Sequence, residues 1–323
     1  MTDLAETSDT SLWRYWFYGP SGLRAGWRLL IYVAIVYGGL RAEIWAARKY
    51  LGGTDEVIGF LFTECGTFLI CLVGAWIMSR IEGRTIADYG LPWRRMFRGQ
   101  FWRGAVIGFG AITFLLIVLR LAGAFYFGTI ALHGFEIAKW ALLFGAVFVL
   151  VGLTEEFELR GYALFTLTTG IGFWPAAIAS SAFFGFIHMS NPGENWFGAV
   201  QAGAFGMLAC LLLRRTGNLW LGIGFHTAWD WGQTYFYGVP DSGIVVPGHL
   251  LDSKLTGPAW LSGGTVGPEG SVLCLVLIIV LWFVFAAIFR EVKYPDPAAI
   301  PDPRRRQSQP PAALASSLEA SHQ

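Results

Sequence analysis

Charge is scarce in this chain of 323 residues: only 14% are Asp, Glu, Lys or Arg, where soluble domains carry about 25%. With 54% hydrophobic residues and a mean hydropathy of +0.51, a water-soluble globular fold is excluded. The net charge is +1 and no long basic run occurs, so nothing points to nucleic acid. Cys65, Cys71, Cys210 and Cys274 all fall in apolar stretches without CxxC spacing, which argues against a disulfide framework and for buried, reduced thiols. The first 25 residues are polar, aromatic and basic rather than apolar, so no cleavable signal peptide is expected. No HExxH pair of zinc ligands is present.

What the chain does have is a series of apolar runs, each near the roughly 20 residues that cross a bilayer as a helix. They lie at about 28–47, 57–78, 105–127, from 138 into the 150s, then 173–187, 196–213, 219–237 and 272–289. The pattern predicts an all-α polytopic membrane protein of about eight transmembrane helices, with a core bundle carrying the polar site. Residues 1–25 form an aromatic and basic N-terminal segment, and 26–290 form the multi-span membrane domain. Residues 291–323, rich in Pro, Ser and Ala with Arg304, Arg305 and Arg306, read as a disordered tail. The sixth run is rich in Gly and Ala, which permits close helix packing.

Basic residues set the orientation. They gather in the loop at 80–103, at Arg214-Arg215 and in the tail, whereas the loops after the third, fifth and seventh runs hold almost none. The positive-inside rule then places both termini in the cytoplasm of a multi-pass cell-membrane protein. Arg41, Arg48 and Lys49 are exceptions, partly offset by Glu43, Asp55 and Glu56. On this count the acids near residue 155 lie toward the cytoplasmic half. The 80–103 loop interleaves six arginines with Trp93, Phe97, Phe101 and Trp102, a pattern suited to anionic lipid headgroups.

The stretch Thr154-Glu155-Glu156-Phe157-Glu158-Leu159-Arg160 sits at the end of an apolar run. Ionised side chains at membrane depth are expensive and usually functional. Glu156 and Arg160 are i,i+4 neighbours in the favourable order, while Glu155 points about 100° away. One acid is neutralised and the other is free to work. Of five histidines only His188 and His226 lie in apolar helices; His226 and Asp230 share a face, as do Phe184 and His188. Glu64 is expected to face the interior as a hydrogen-bonding residue, and Glu158 to reach the interface.

Glu155-Glu156-x-x-x-Arg160, Phe184-x-x-x-His188 and His226-x-x-x-Asp230, in that order on successive helices, resemble the three motifs of the CPBP intramembrane proteases, the CAAX-protease or abortive-infection family. The stretch Arg84–Leu91 is also similar to a segment before that family's core, and the resemblance covers about 84–236. It implies an intramembrane endopeptidase acting on a membrane-associated protein or peptide near the cytoplasmic face. Glu155, Glu156, His188, His226 and Asp230 are then the catalytic set, with Arg160 and Phe184 in support. The motif glutamate and His188 would activate water, and His226 with Asp230 would hold the oxyanion. An asparagine at 230 could donate to that oxyanion, whereas an ionised aspartate only accepts. Asp230 is therefore protonated, or orients His226, or joins Glu155, His188 and His226 around a divalent metal such as zinc. The residues leave these three open. The prenyl specificity that gives the family its name does not follow for this chain. A non-catalytic membrane scaffold or immunity-type protein would not need the intact set, and an ion-coupled transporter would show an internal repeat of interrupted spans, which is absent.

Overall fold

The computed structural model describes residues 16–19, 22–50 and 56–295. The expectations for residues 1–15 and for the Arg304–Arg306 tail lie outside the described residues. An apolar segment in hydrocarbon has no water for its amides, so it bonds them along its own axis. The chain accordingly forms α1 (Ala25–Tyr50), α2 (Glu56–Glu82), α3 (Gly99–Leu121), α4 (Phe135–Arg160), α5 (Tyr162–Ile171), α6 (Phe173–His188), α7 (Trp196–Thr216), α8 (Trp220–Trp231) and α9 (Val272–Ile288). Counting α4 and α5 as one run, five helices among the described residues are long and apolar enough to cross a membrane, and α6 and α9 are shorter apolar helices. The seventh apolar run is α8, continued by π-helical residues Gly232–Tyr237. The protein is an all-α polytopic membrane protein, and large apolar side chains such as Val106, Phe135, Leu142 and Phe283 cover its outer surface.

Three boundaries differ from those the apolar runs predict. The third helix stops at Leu121, where Gly123 takes the left-handed conformation at φ 75°, and Phe125–Tyr126 pairs instead with Lys254–Leu255. The fourth run is broken at Gly161, between α4 and α5, where a side chain would collide with the Phe157 carbonyl and ring. Thr168-Thr169-Gly170, which reads as a turn leading into the fifth run, is helical, and the turn falls at Gly172, at φ 86°.

One end of the bundle gathers the basic loops. There Arg28 pairs with Glu82 at 3.0 Å, Arg84 stacks on Phe165, and Tyr89 of the 84–91 stretch is fully buried against Tyr162 and Phe165. The opposite end carries the start of α4, the ends of α6 and α8, and the long loop 238–271.

The site depends on how closely α8 approaches its neighbours. Side chains at Gly104 and Gly108 of α3 would strike the carbonyls of Leu221 and Phe225, and one at Gly224 would strike that of Phe101. Without Cβ atoms on either side, the two backbones come into direct contact and α8 is pressed into the centre of the bundle. Trp220, Ile223, His226 and Asp230 are buried as a result.

Candidate active site

Helix α4 presents its two glutamates to different surroundings. Glu156 is 1% exposed; its Oε1 lies 3.5 Å from Arg160 Nη1 and 3.2 Å from His226 Nδ1. Arg160 is wholly buried, with its guanidinium 4.4 Å from the Phe184 ring centroid, in the space that Gly206 of α7 leaves open. Glu155 is half-buried and lines a cavity, its Oε2 3.6 Å from His226 Nε2. The same Nε2 lies 3.4 Å from Asp230 Oδ2, one turn along α8. Both ring nitrogens of His226 thus face carboxylate oxygens, which a doubly protonated imidazolium satisfies. Phe205 covers the ring, centroids 5.2 Å apart.

His188 lies at the end of α6 on the wall of the same cavity. Its Nδ1 is 2.8 Å from the Phe184 carbonyl, and a carbonyl only accepts, so Nδ1 carries the hydrogen. In the neutral ring Nε2 keeps its lone pair and can take a proton. Phe184 stacks edge-on against the imidazole at 4.3 Å. The structure thus brings Glu155, Glu156 and Asp230 against His226, and Glu155, His188, His226 and Asp230 line one cavity.

That cavity is about 560 Å³. Apolar residues of α2, α4 and α9 form much of its wall, and its exposed lining residues are Ser190 and Ile244 in loops and Phe60 on the flank of α2. None of its lining residues comes from the arginine-rich loops at 80–103 or 214–219; the opening lies at the opposite end, among 190–194 and 241–246. The span count put the acids toward the arginine-rich half and hydrolysis near that face, whereas the cavity that Glu155 lines opens at the other end. Helix α5 carries the chain a further ten residues past Gly161.

Several residues of this site stand out only in three dimensions. Glu64 lines the cavity, with Oε2 buried and unpartnered. Glu158, expected at the interface, is instead half-buried within electrostatic range of Tyr32 and Cys71. Cys65 is exposed, against the expectation of burial, while Cys71, Cys210 and Cys274 are buried thiols. Gln201, Asp241 and Glu269 also line the cavity. A lone amide in the Gly- and Ala-rich α7 was a readable signal for Gln201, but nothing in the loop pattern marks Asp241 or Glu269. Carboxylate oxygens of Asp230, Asp241 and Glu269 all lie within 4.8 Å of one another, which is the ligand chemistry of a divalent-cation site. This group shares only Asp230 with the set Glu155, His188, His226 and Asp230. Burial pushes the Asp241 carboxyl well above the usual range, and the charges of Asp230 and Glu269 add to it. Burial likewise raises Glu194.

Fold and site together define a class: a polytopic helical membrane protein whose bundle encloses a cavity walled by carboxylates and imidazoles. The family model described as type II CAAX prenyl endopeptidase Rce1-like matches residues 136–232, from the start of α4 to the end of α8. The match contains all three motifs, starts after the 84–91 stretch, and supports an assignment to the CPBP, or CAAX-protease, family of intramembrane endopeptidases. No curated protein and no solved structure matches the chain.

Proposed function

We propose that this protein hydrolyses a peptide bond in a membrane-associated protein or peptide, using water activated by Glu155 and His188. The observation that carries the reading is the division of labour in α4: Arg160 and His226 hold Glu156, while Glu155 opens onto the cavity that His188 also lines. Water between Glu155 and His188 gives up a proton as it attacks the scissile carbonyl. The negative charge that develops on that oxygen is met by the imidazolium of His226: Glu156 holds its Nδ1–H, and the oxyanion shares its Nε2–H with Asp230. Asp230 is then an orienting acceptor rather than a donor. Glu155 returns the proton to the leaving amine.

The carboxylates of Asp230, Asp241 and Glu269 favour a second, metal-assisted reading. Three carboxylate oxygens suit a hard divalent cation, whereas the set with His188 and His226 would suit zinc. Metal analysis of the purified protein and turnover in a chelator separate the two readings.

The protein belongs in the cell membrane with both termini cytoplasmic, a reading supported by the arginine distribution. Exposed Arg94, Arg95 and Arg98 beside Trp93, Phe97 and Trp102 support a contact with anionic lipid, from which Arg84, paired with Glu82, is turned away. The decisive test is a fluorogenic peptide library incubated with detergent-purified protein. Wild type should cleave and Glu155→Gln should not, while both unfold at the same temperature. Equal turnover in the two would reject the assignment of the glutamates.

A further inference from the structure

The cavity has one sign of charge. Glu64, Glu155, Glu194, Asp230, Asp241 and Glu269 line it, and no lysine or arginine does. The two histidines are the only lining groups that can carry positive charge, and His226 is consumed by Glu155, Glu156 and Asp230. Glu194, Asp241 and Glu269 stand on the loops around the opening. Neutral donors hold them there. Glu194 Oε1 accepts from the Asn195 amide, Asp241 accepts from Gln233 Nε2 and Thr234 Oγ1, and Glu269 accepts from Trp229 Nε1 and from the amide and hydroxyl of Ser242. Among the described residues no lysine or arginine pairs with any of the three. Like charges converging on a cleft with low-dielectric walls create a field that attracts a cation.

A separate observation shows where a ligand would lie. Gln201 of α7 lines the cavity at 2% exposure, and both its Nε2 and its Oε1 lack a partner. Buried polar atoms are almost always hydrogen-bonded, so an amide orphaned at both ends on a cavity wall marks a contact the protein completes with something else. A carboxamide offers a donor and an acceptor, the complement of the C=O and N–H of a peptide group. The lining residues of α7 are Gly198, Gln201, Ala202 and Phe205, one helical face, with Phe205 against His226 and the Glu194 carboxylate lying over Gly198. At 1.5 Å per residue, Gln201 lies about 6 Å and Gly198 about 10 Å along the helix from the level of His226. An extended peptide rises about 3.3–3.6 Å per residue, so these distances correspond to about two and three residues.

We propose that the cavity accepts an extended peptide segment whose backbone is held by Gln201 and which carries a lysine or arginine about three residues from the scissile bond, where Glu194 and Glu269 meet its charge. A substrate whose free C-terminal carboxylate had to enter at this opening would be repelled. The proposal rests on the hydrolase reading, and binding to an inactive full-length chain tests it separately. Glu155→Gln protein in detergent is titrated with labelled apolar peptides that differ only in lysine, glutamine or glutamate at the third position on either side of the central bond. Lysine should bind about tenfold more tightly than glutamate, with the advantage shrinking as salt rises. In the same background Glu194→Gln should reduce that preference to about threefold or less, and Gln201→Leu should weaken all the peptides alike, by about tenfold. Glu269→Gln should also reduce the preference; because Glu269 anchors Trp229 and Ser242, Glu194→Gln decides the matter if that variant does not fold. Lysine and glutamate peptides bound within twofold of one another would overturn the proposal, even if wild type cleaves both. Selective binding of lysine without turnover by wild type would sustain it and reject the hydrolase reading instead. A stoichiometric divalent cation that lysine peptides fail to displace would overturn it, since the mouth carboxylates would already be neutralised.

Discussion

Replacing Arg160 with alanine should destabilise the protein severely while leaving every cavity-lining residue in place. The guanidinium is wholly buried, faces the Phe184 ring at 4.4 Å and lies 3.5 Å from Glu156. Removing one partner of a buried ion pair costs about 3–5 kcal/mol, chiefly because the other charge remains in a dry site. Two observations favour the lower end. Glu156 keeps a second partner in His226 at 3.2 Å, and the Arg160 nitrogens make no hydrogen bond of their own. Loss of the cation–π contact adds about 1–2 kcal/mol. The expected total is about 4 kcal/mol, nearly a thousandfold in the folding equilibrium. Reversible unfolding in mixed detergent micelles, followed by tryptophan fluorescence, measures it. Arg160→Met combined with Glu156→Gln should be less destabilised than Arg160→Met alone, because the double variant leaves no unpaired charge. An Arg160→Ala protein within about 0.5 kcal/mol of wild type would refute the premise that the Glu156 charge is held inside the bundle.

Asp230→Asn should keep activity within about tenfold of wild type, since the amide oxygen still accepts from His226; complete loss, together with stoichiometric metal in wild type, would make Asp230 a ligand. Asp241→Asn should flatten the pH dependence of stability. The folded-state pKa of Asp241 is raised by burial, so the folded protein binds that proton more tightly, and stability falls as pH rises from about 4 through the folded value. The thermal midpoint of wild type should drop over that range by more than that of the variant, and parallel curves would reject the assignment. A reporter fused after Gln323 should read as cytoplasmic, and Val245→Cys, 68% exposed in the wild-type residue, should react with an impermeant thiol reagent only from the extracytoplasmic side. Labelling from the cytoplasm would invert the opening of the cavity.

The sequence alone determined the class of fold and the segments that bear the site. Hydropathy is local: a run of about 20 apolar residues must form a helix in lipid whatever its neighbours do. Helical periodicity is local too, so the pairing of Glu156 with Arg160, the separate direction of Glu155 and the shared face of His226 and Asp230 were legible from spacing. Which helices those side chains meet was not. The contact between His226 and Glu156 spans 70 positions in the chain and exists because glycines of α3 and α8 let the two backbones touch. The break at Gly161, which separates α4 from α5, is likewise set by the Phe157 carbonyl and ring rather than by hydropathy. Asp241 and Glu269 joined the site only through packing, from a loop whose pattern carries no mark of the cavity, and Gln201 was marked only as a lone amide in a Gly- and Ala-rich helix. Local periodicity fixes which way a side chain points on its own helix; what stands opposite is decided by helix packing, and only the tertiary structure contains it.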